Sequence, residues 1–200
     1  MPTRINADQA AIFFDYLAYL WLKGPVDVDD LIKSLWTREI AGSNLDLAEV
    51  LDLHFKQLSS EEDTWLANEN YINSIYSYVP NRYVPPYASI YLDRERTLWG
   101  SISKETLKYY NALELDFNSN TSSYPQVKAP DHIGVEFAFM AELLNASNSS
   151  DAINLATEFL NRHLLQWVPN YLEDLRKKLS SPYWISGANL CELLLNSILK

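Results

Sequence analysis

The chain carries few residues suited to bond-making chemistry, and they are scattered. Its only histidines are His54, His132 and His163, and its only cysteine is Cys191. The pair Asp131-His132, directly after Pro130, is therefore the first place to look for a reacting centre. A carboxylate that orients an imidazole base, beside a Ser or Thr nucleophile, would make a hydrolase. Neighbouring residues on a helix point about 100° apart, however, so Asp131 cannot orient His132 by simple side-chain contact. No GxSxG elbow is present, and no catalytic residue is expected. The histidines lie on three segments without HxxxH spacing, and one cysteine cannot build a thiolate zinc site, so no metal is expected. Five glycines in 200 residues, with neither GxxxxGK[ST] nor GxGxxG, leave phosphate without a cradle.

The bland alternative for "KAPDHIGVEF" (128–137) is a helix start. Pro130 suits a first helical position. Asp131 in the first turn would accept from unpaired backbone N–H groups and favour the positive end of the dipole, by about 1 kcal/mol. His132 is then unexplained: an imidazolium is disfavoured there, and nothing in the sequence asks for a neutral ring. Cap and contact both remain open.

In the elements that would position this pair, helical spacing recurs almost everywhere. Asn6 and Gln9 form a capping-box pattern ahead of the apolar face Phe13, Phe14, Leu17, Leu20 and Trp21, which Gly24-Pro25 closes. Helical stripes follow from Asp27 to Gly42, from about Asn44 through Leu58, and through Leu66, Tyr71 and Ile75 to Val79-Pro80. "SIYSYV" also alternates like a strand, without a second strand to pair with. Residues 80–100, with Pro85-Pro86, read as an ordered connecting loop. Ser103 is a possible cap for a helix through about Leu115, and the polar stretch 116–129 reads as a mobile connector between helical groups 1–115 and 130–200. Beyond it, Pro169 either kinks a helix or opens one at Asn170, and Ser181-Pro182 introduces a last segment. His54 and His163 read as hydrogen-bonded helix residues. The expectation is an all-α fold: one helical domain of about 8–10 helices over residues 1–200.

Lys+Arg 16 against Asp+Glu 26 gives −10, which repels nucleic acid and favours cationic partners. Arg176-Lys177-Lys178, the one compact basic run, reads as the solvated last turn of a helix. No basic-then-apolar export signal opens the chain, and no apolar run reaches the roughly 18 residues of a membrane span, so a cytoplasmic protein is expected.

Three blocks, "PPYASIYLDRERTLWG" (85–100), "APDHIGVEFAFMAELL" (129–144) and "FLNRHLLQWVPNYLEDL" (159–175), stand in the order and at about the spacing of the TorD/DmsD/NarJ family of molybdoenzyme chaperones, which the chain resembles. The first block is most similar to the DmsD and TorD branches. The resemblance implies a TorD-like helical fold and a cytoplasmic chaperone without a cofactor of its own. Such a chaperone binds the twin-arginine (Tat) leader of a molybdoenzyme precursor and delays export until the molybdenum cofactor is inserted. It further implies a monomer or a domain-swapped dimer, and a leader-binding surface at Asp131 and His132 together with Pro85, Pro86, Tyr87, Ser89, Tyr91, Leu92 and Asp93. The chain departs from the family's Glu-Pro-x-Asp-His in having Lys128-Ala129-Pro130-Asp131-His132, and Tyr78 stands where a glycine is usual. Other readings are a helical module that docks the mature body of a partner enzyme, or an Asp/His hydrolase.

Overall fold

The computed structural model describes residues 5–25, 45–117, 127–146 and 148–198. The expected helix from Asp27 to Gly42 and most of the expected connector lie outside them. Within the described residues every regular element is a helix, and no strand is present. This bears out the all-α expectation.

The central element is α1 (Ala7–Lys23), on which both faces are buried. Its start is the expected capping box: the Gln9 N–H donates to Asn6 Oδ1 at 2.9 Å, and the Asn6 N–H to Gln9 Oε1 at 3.1 Å. Its end is Gly24, at φ 81, where an added Cβ would lie 2.6 Å from the Tyr71 ring. α2 (Leu45–Phe55) follows, and then α3 (Glu61–Asn70), whose last turn widens into a π-helical stretch, Tyr71–Tyr76. The first half of the strand-like "SIYSYV" thus continues the helix to Tyr76, and residues 77–79 leave it without forming a strand.

Residues 80–100 are not a plain loop. They contain a short helix, α4 (Ala88–Leu92), which precedes α5 (Ser101–Asn111). After residue 127 come α6 (Ile133–Asn145) and α7 (Ser150–Phe159). A second π-helical stretch (Leu160–Leu164) leads from α7 into α8 (Leu165–Arg176), and α9 (Pro182–Ile198) follows. Pro169 sits inside α8 without ending it. A proline ring crowds the carbonyl four residues back, here Leu165, and the widened turn lies immediately upstream. Pro182 opens α9, as the sequence suggests.

α1 packs along α6 as the central pair, with α9 across α1, α2 and α3, and α4 on α5 and α8. The approach of α1 to α6 requires Gly134, because a Cβ there would lie 2.7 Å from Leu22 Cγ and 3.3 Å from Trp21 Cβ. The three large indoles of the core each find an acceptor. Trp21 donates to the Tyr171 hydroxyl at 2.9 Å, Trp184 to the Ala67 carbonyl at 2.9 Å, and Trp167 to Glu136 Oε2 at 3.1 Å. Large rings therefore fill the interior without leaving a stranded N–H.

Replacing Gly134 by alanine should lower unfolding stability by about 1–3 kcal/mol through overpacking, read as a lower urea midpoint at unchanged slope.

Candidate functional site

The proline loop and the Asp-His stretch meet through the backbone. The Ala88 N–H donates to the Asp131 carbonyl at 3.0 Å and the Ile133 N–H to the Pro86 carbonyl at 2.9 Å, pairing Tyr87 with His132 in an isolated antiparallel bridge. The Asp131 carboxylate adds two bonds. Oδ2 accepts from the Ser89 N–H at 2.7 Å, and Oδ1 accepts from the Ser103 hydroxyl at 2.7 Å. Ser89 is the second residue of α4, so the carboxylate caps a helix 42 residues away rather than its own. The cap of α6 is His132, whose Nδ1 accepts from the Gly134 N–H at 3.1 Å. Burial pushes its pKa down to about 3, so the ring is neutral and Nδ1 is free to accept. α6 therefore begins at Ile133 and not at Pro130, and the neutral histidine has the structural reason that the sequence did not supply.

Other side chains clamp the segment ahead of the helix. The Tyr87 hydroxyl accepts from the Lys128 N–H at 3.1 Å, the Trp99 indole donates to the Lys128 carbonyl at 2.7 Å, and the Tyr110 hydroxyl donates to the Pro130 carbonyl at 2.8 Å. Beneath them, Glu136 is fully buried between the His163 ring (Oε1 to Nε2, 2.6 Å) and Trp167. Burial raises the Glu136 pKa. Burial also opposes charge on His163, but the Glu136 carboxylate outweighs it and the His163 pKa rises.

The expected site residues thus fall into two sets. Asp131, His132, Pro86, Tyr87 and Ser89 are buried, and none of the five presents a surface to a peptide. Pro85, Tyr91, Leu92 and Asp93 are partly exposed. Asp93 holds its own loop, with Oδ1 accepting from the Glu95 N–H at 3.2 Å and Oδ2 from the Ser101 hydroxyl at 3.3 Å.

Pro85 and Tyr91 border a cleft of about 660 Å³ together with Tyr83, Val84, Ile90 and Arg96. Its other wall is the end of α8: Asn170, Glu173, Asp174, Lys177 and Lys178. Tyr91 rests on Trp167 and Tyr171, with centroids 5.7 and 6.0 Å away, so the buried Glu136–Trp167 bond backs the cleft from below. Burial pushes Tyr83 up to about 12 and Tyr91 higher still, which keeps both hydroxyls protonated. Outside the cleft, Tyr83 meets the Tyr78 ring at 6.0 Å, and Tyr78 is 78% exposed. Apolar surface therefore runs on past the cleft mouth.

Nothing local in the sequence marks this second wall. Glu173 and Asp174 were visible within the block 159–175, but an acidic pair near a helix end carries no mark of what it faces. Among the described residues no group of three or more His, Cys, Asp or Glu could hold a metal ion, and no helix is long and apolar enough to cross a membrane.

Residues 40–173 match the family model described as the nitrate reductase delta subunit, and the chain belongs to that family, which takes in TorD, DmsD and NarJ. The expected family is borne out. Among curated proteins, the chain is similar to a protein from Haemophilus influenzae named "Probable Tat proofreading chaperone DmsD", 28% identical over 100 residues. That stretch is 50% of this chain and 44% of the relative, so the match spans less than half of the relative's length.

Two outcomes follow from the geometry. Asp131→Ala leaves the Ser89 N–H and the Ser103 hydroxyl without their acceptor and should cost about 2–3 kcal/mol of stability in urea melts, with Asp131→Asn intermediate. The second concerns pH. His132 and His54 are both pushed from 6.5 to about 3 by burial. The unfolded chain then binds protons that the folded one refuses, so their contribution is present above about pH 6.5 and lost as pH falls toward 3. His163, with its raised pKa, acts in the opposite sense and contributes below about 6.5. His132→Asn keeps a capping acceptor, and should flatten the loss of stability between pH 6.5 and 5 by about 1 kcal/mol per pH unit relative to wild type.

Proposed function

We propose that this protein is a maturation chaperone that binds the twin-arginine leader of a molybdoenzyme precursor in the cleft between the proline loop and α8. On this reading it holds the precursor back from export until the molybdenum cofactor is in place. The observation that carries the proposal is the make-up of the cleft, in which Tyr83, Pro85, Ile90 and Tyr91 face Glu173 and Asp174. A twin-arginine leader offers two guanidinium groups and then an apolar stretch, and a receptor for it needs carboxylates beside aromatic and aliphatic surface. The charge of −10 adds long-range attraction for such a segment. Family membership and the name of the Haemophilus relative support the same reading.

In this proposal the expected site residues divide their labour. Pro85 and Tyr91 touch the leader, and Leu92 and Asp93 shape the loop that carries them. Asp131, His132, Pro86, Tyr87 and Ser89 act from below, by fixing that loop to α6. A hydrolytic role for Asp131 and His132 has no support in this arrangement, because both side chains are buried and already hydrogen-bonded.

Calorimetric titration with a synthetic twin-arginine leader, beside a version with both arginines replaced by glutamine, tests the proposal. Binding of the first and not the second is expected. Asp174→Asn should weaken it about three- to tenfold, and Tyr91→Ala about tenfold or more. Equal binding of both peptides, or affinity indifferent to Asp174 and Tyr91, would overturn it.

A further inference from the structure

We propose that Lys177 is a resident competitor for the guanidinium-binding wall of the cleft, a cation of the chain's own that an arginine of the guest must displace. The inference rests on the leader-binding reading above and names a regulator of affinity within that site.

Glu173 and Asp174 are the carboxylates that line the cleft, and the Lys177 ammonium engages both, 3.0 Å from Glu173 Oε1 and 2.9 Å from Asp174 Oδ1. Lys177 itself lines the cleft, with 57% of its side chain exposed, so its ammonium can swing out to solvent. Lys178 lines the same cleft, yet makes no ion pair among the described residues. The two lysines thus carry equal charge at one mouth, with one seated on the carboxylates and the other not.

An ammonium is a point charge, whereas a guanidinium is a planar fork that sets two parallel bonds on one carboxylate. The chain shows the stronger geometry elsewhere, where Arg82 holds Glu69 through Nη1 at 2.5 Å and Nη2 at 2.9 Å. Exchange of Lys177 for an incoming arginine therefore gains the difference between the two modes, and exchange for an incoming lysine gains nothing. The resident cation occupies both carboxylates, in a cleft that Arg96 and Lys178 also line, and lowers its affinity for any basic segment, so that only a guest with a better cation and an apolar follow-on is held.

The test uses the full-length chain, titrated calorimetrically with the twin-arginine leader and its glutamine version, as wild type, Lys177→Met, Lys177→Arg and Lys178→Met. Removing the competitor in Lys177→Met should tighten the arginine peptide about three- to fivefold, the size of an exposed ion pair, and leave the glutamine peptide unchanged. Lys177→Arg keeps the charge and strengthens the competitor, and should weaken binding. Lys178→Met should tighten it by clearly less than Lys177→Met, since only the general field changes. The proposal is overturned if the two methionine variants tighten binding equally, if Lys177→Met weakens it as expected of a contact to the guest, or if Lys177→Arg leaves it unchanged. If wild type fails to bind the arginine peptide at all, the leader-binding reading falls and this proposal with it, an outcome distinct from the other three.

Discussion

The Asp131 carboxylate is the constraint on which the rest of the site depends. It is fully buried, and its two oxygens receive the Ser89 N–H and the Ser103 hydroxyl, from elements 42 and 28 residues away in sequence. A buried acceptor without donors would be costly, so each of these bonds holds its donor in place as firmly as it satisfies the carboxylate. The start of α4, the first turn of α5 and the approach to α6 are thereby drawn to one point. Pro85 and Tyr91 keep their places in the cleft wall because the backbone between and beneath them is fixed there.

A second support reaches the cleft by another route. Glu136, one turn into α6, bonds Trp167 and His163, and Trp167 carries Tyr91 on its face. Thus the lead-in to α6 addresses the proline loop through Asp131, and α6 itself addresses the α8 side through Glu136. In a helical protein, loops lack the continuous backbone ladder by which a sheet aligns its edges. Here a few buried polar side chains do that alignment instead, each placed where an element begins or bends. Asn70 does the same work at the opposite side, where its Oδ1 accepts from the Ser180 and Ser181 N–H groups just before α9, at 2.7 and 3.1 Å.

Local signals were legible in the sequence. The capping box of α1, the opening of α9 at Pro182 and the all-helical pattern follow from periodicity and from residues three apart, which is information a linear reading contains. The family could also be read, from three blocks in order. What could not be read depends on distance. Ser89, Ser103 and Lys128 give no local hint that they share a carboxylate or a tyrosine with residues tens of positions away. His132 looked out of place as a cap because its neutral state is produced by burial, which is a property of the whole fold. α4 was hidden by the prolines before it, since its first-turn cap comes from Asp131, just ahead of α6, and not from the residues before it. Glu173 and Asp174 carry no local mark as a wall for the same reason: the loop opposite is supplied from elsewhere in the chain.

The proline loop carries one more feature of note. Asn81, Arg96 and Trp99 adopt left-handed backbone angles, at φ 65, 51 and 62, although none is glycine. Trp99 is kept there by its N–H on Ser103 Oγ at 3.0 Å and by its indole on the Lys128 carbonyl. The bend at Trp99 is therefore held by its own half-exposed indole as well as by the buried Ser103 hydroxyl. One side chain thus fixes both a left-handed turn and the segment ahead of α6, so the shape of the cleft's loop and the seating of the next helix are a single mechanical unit.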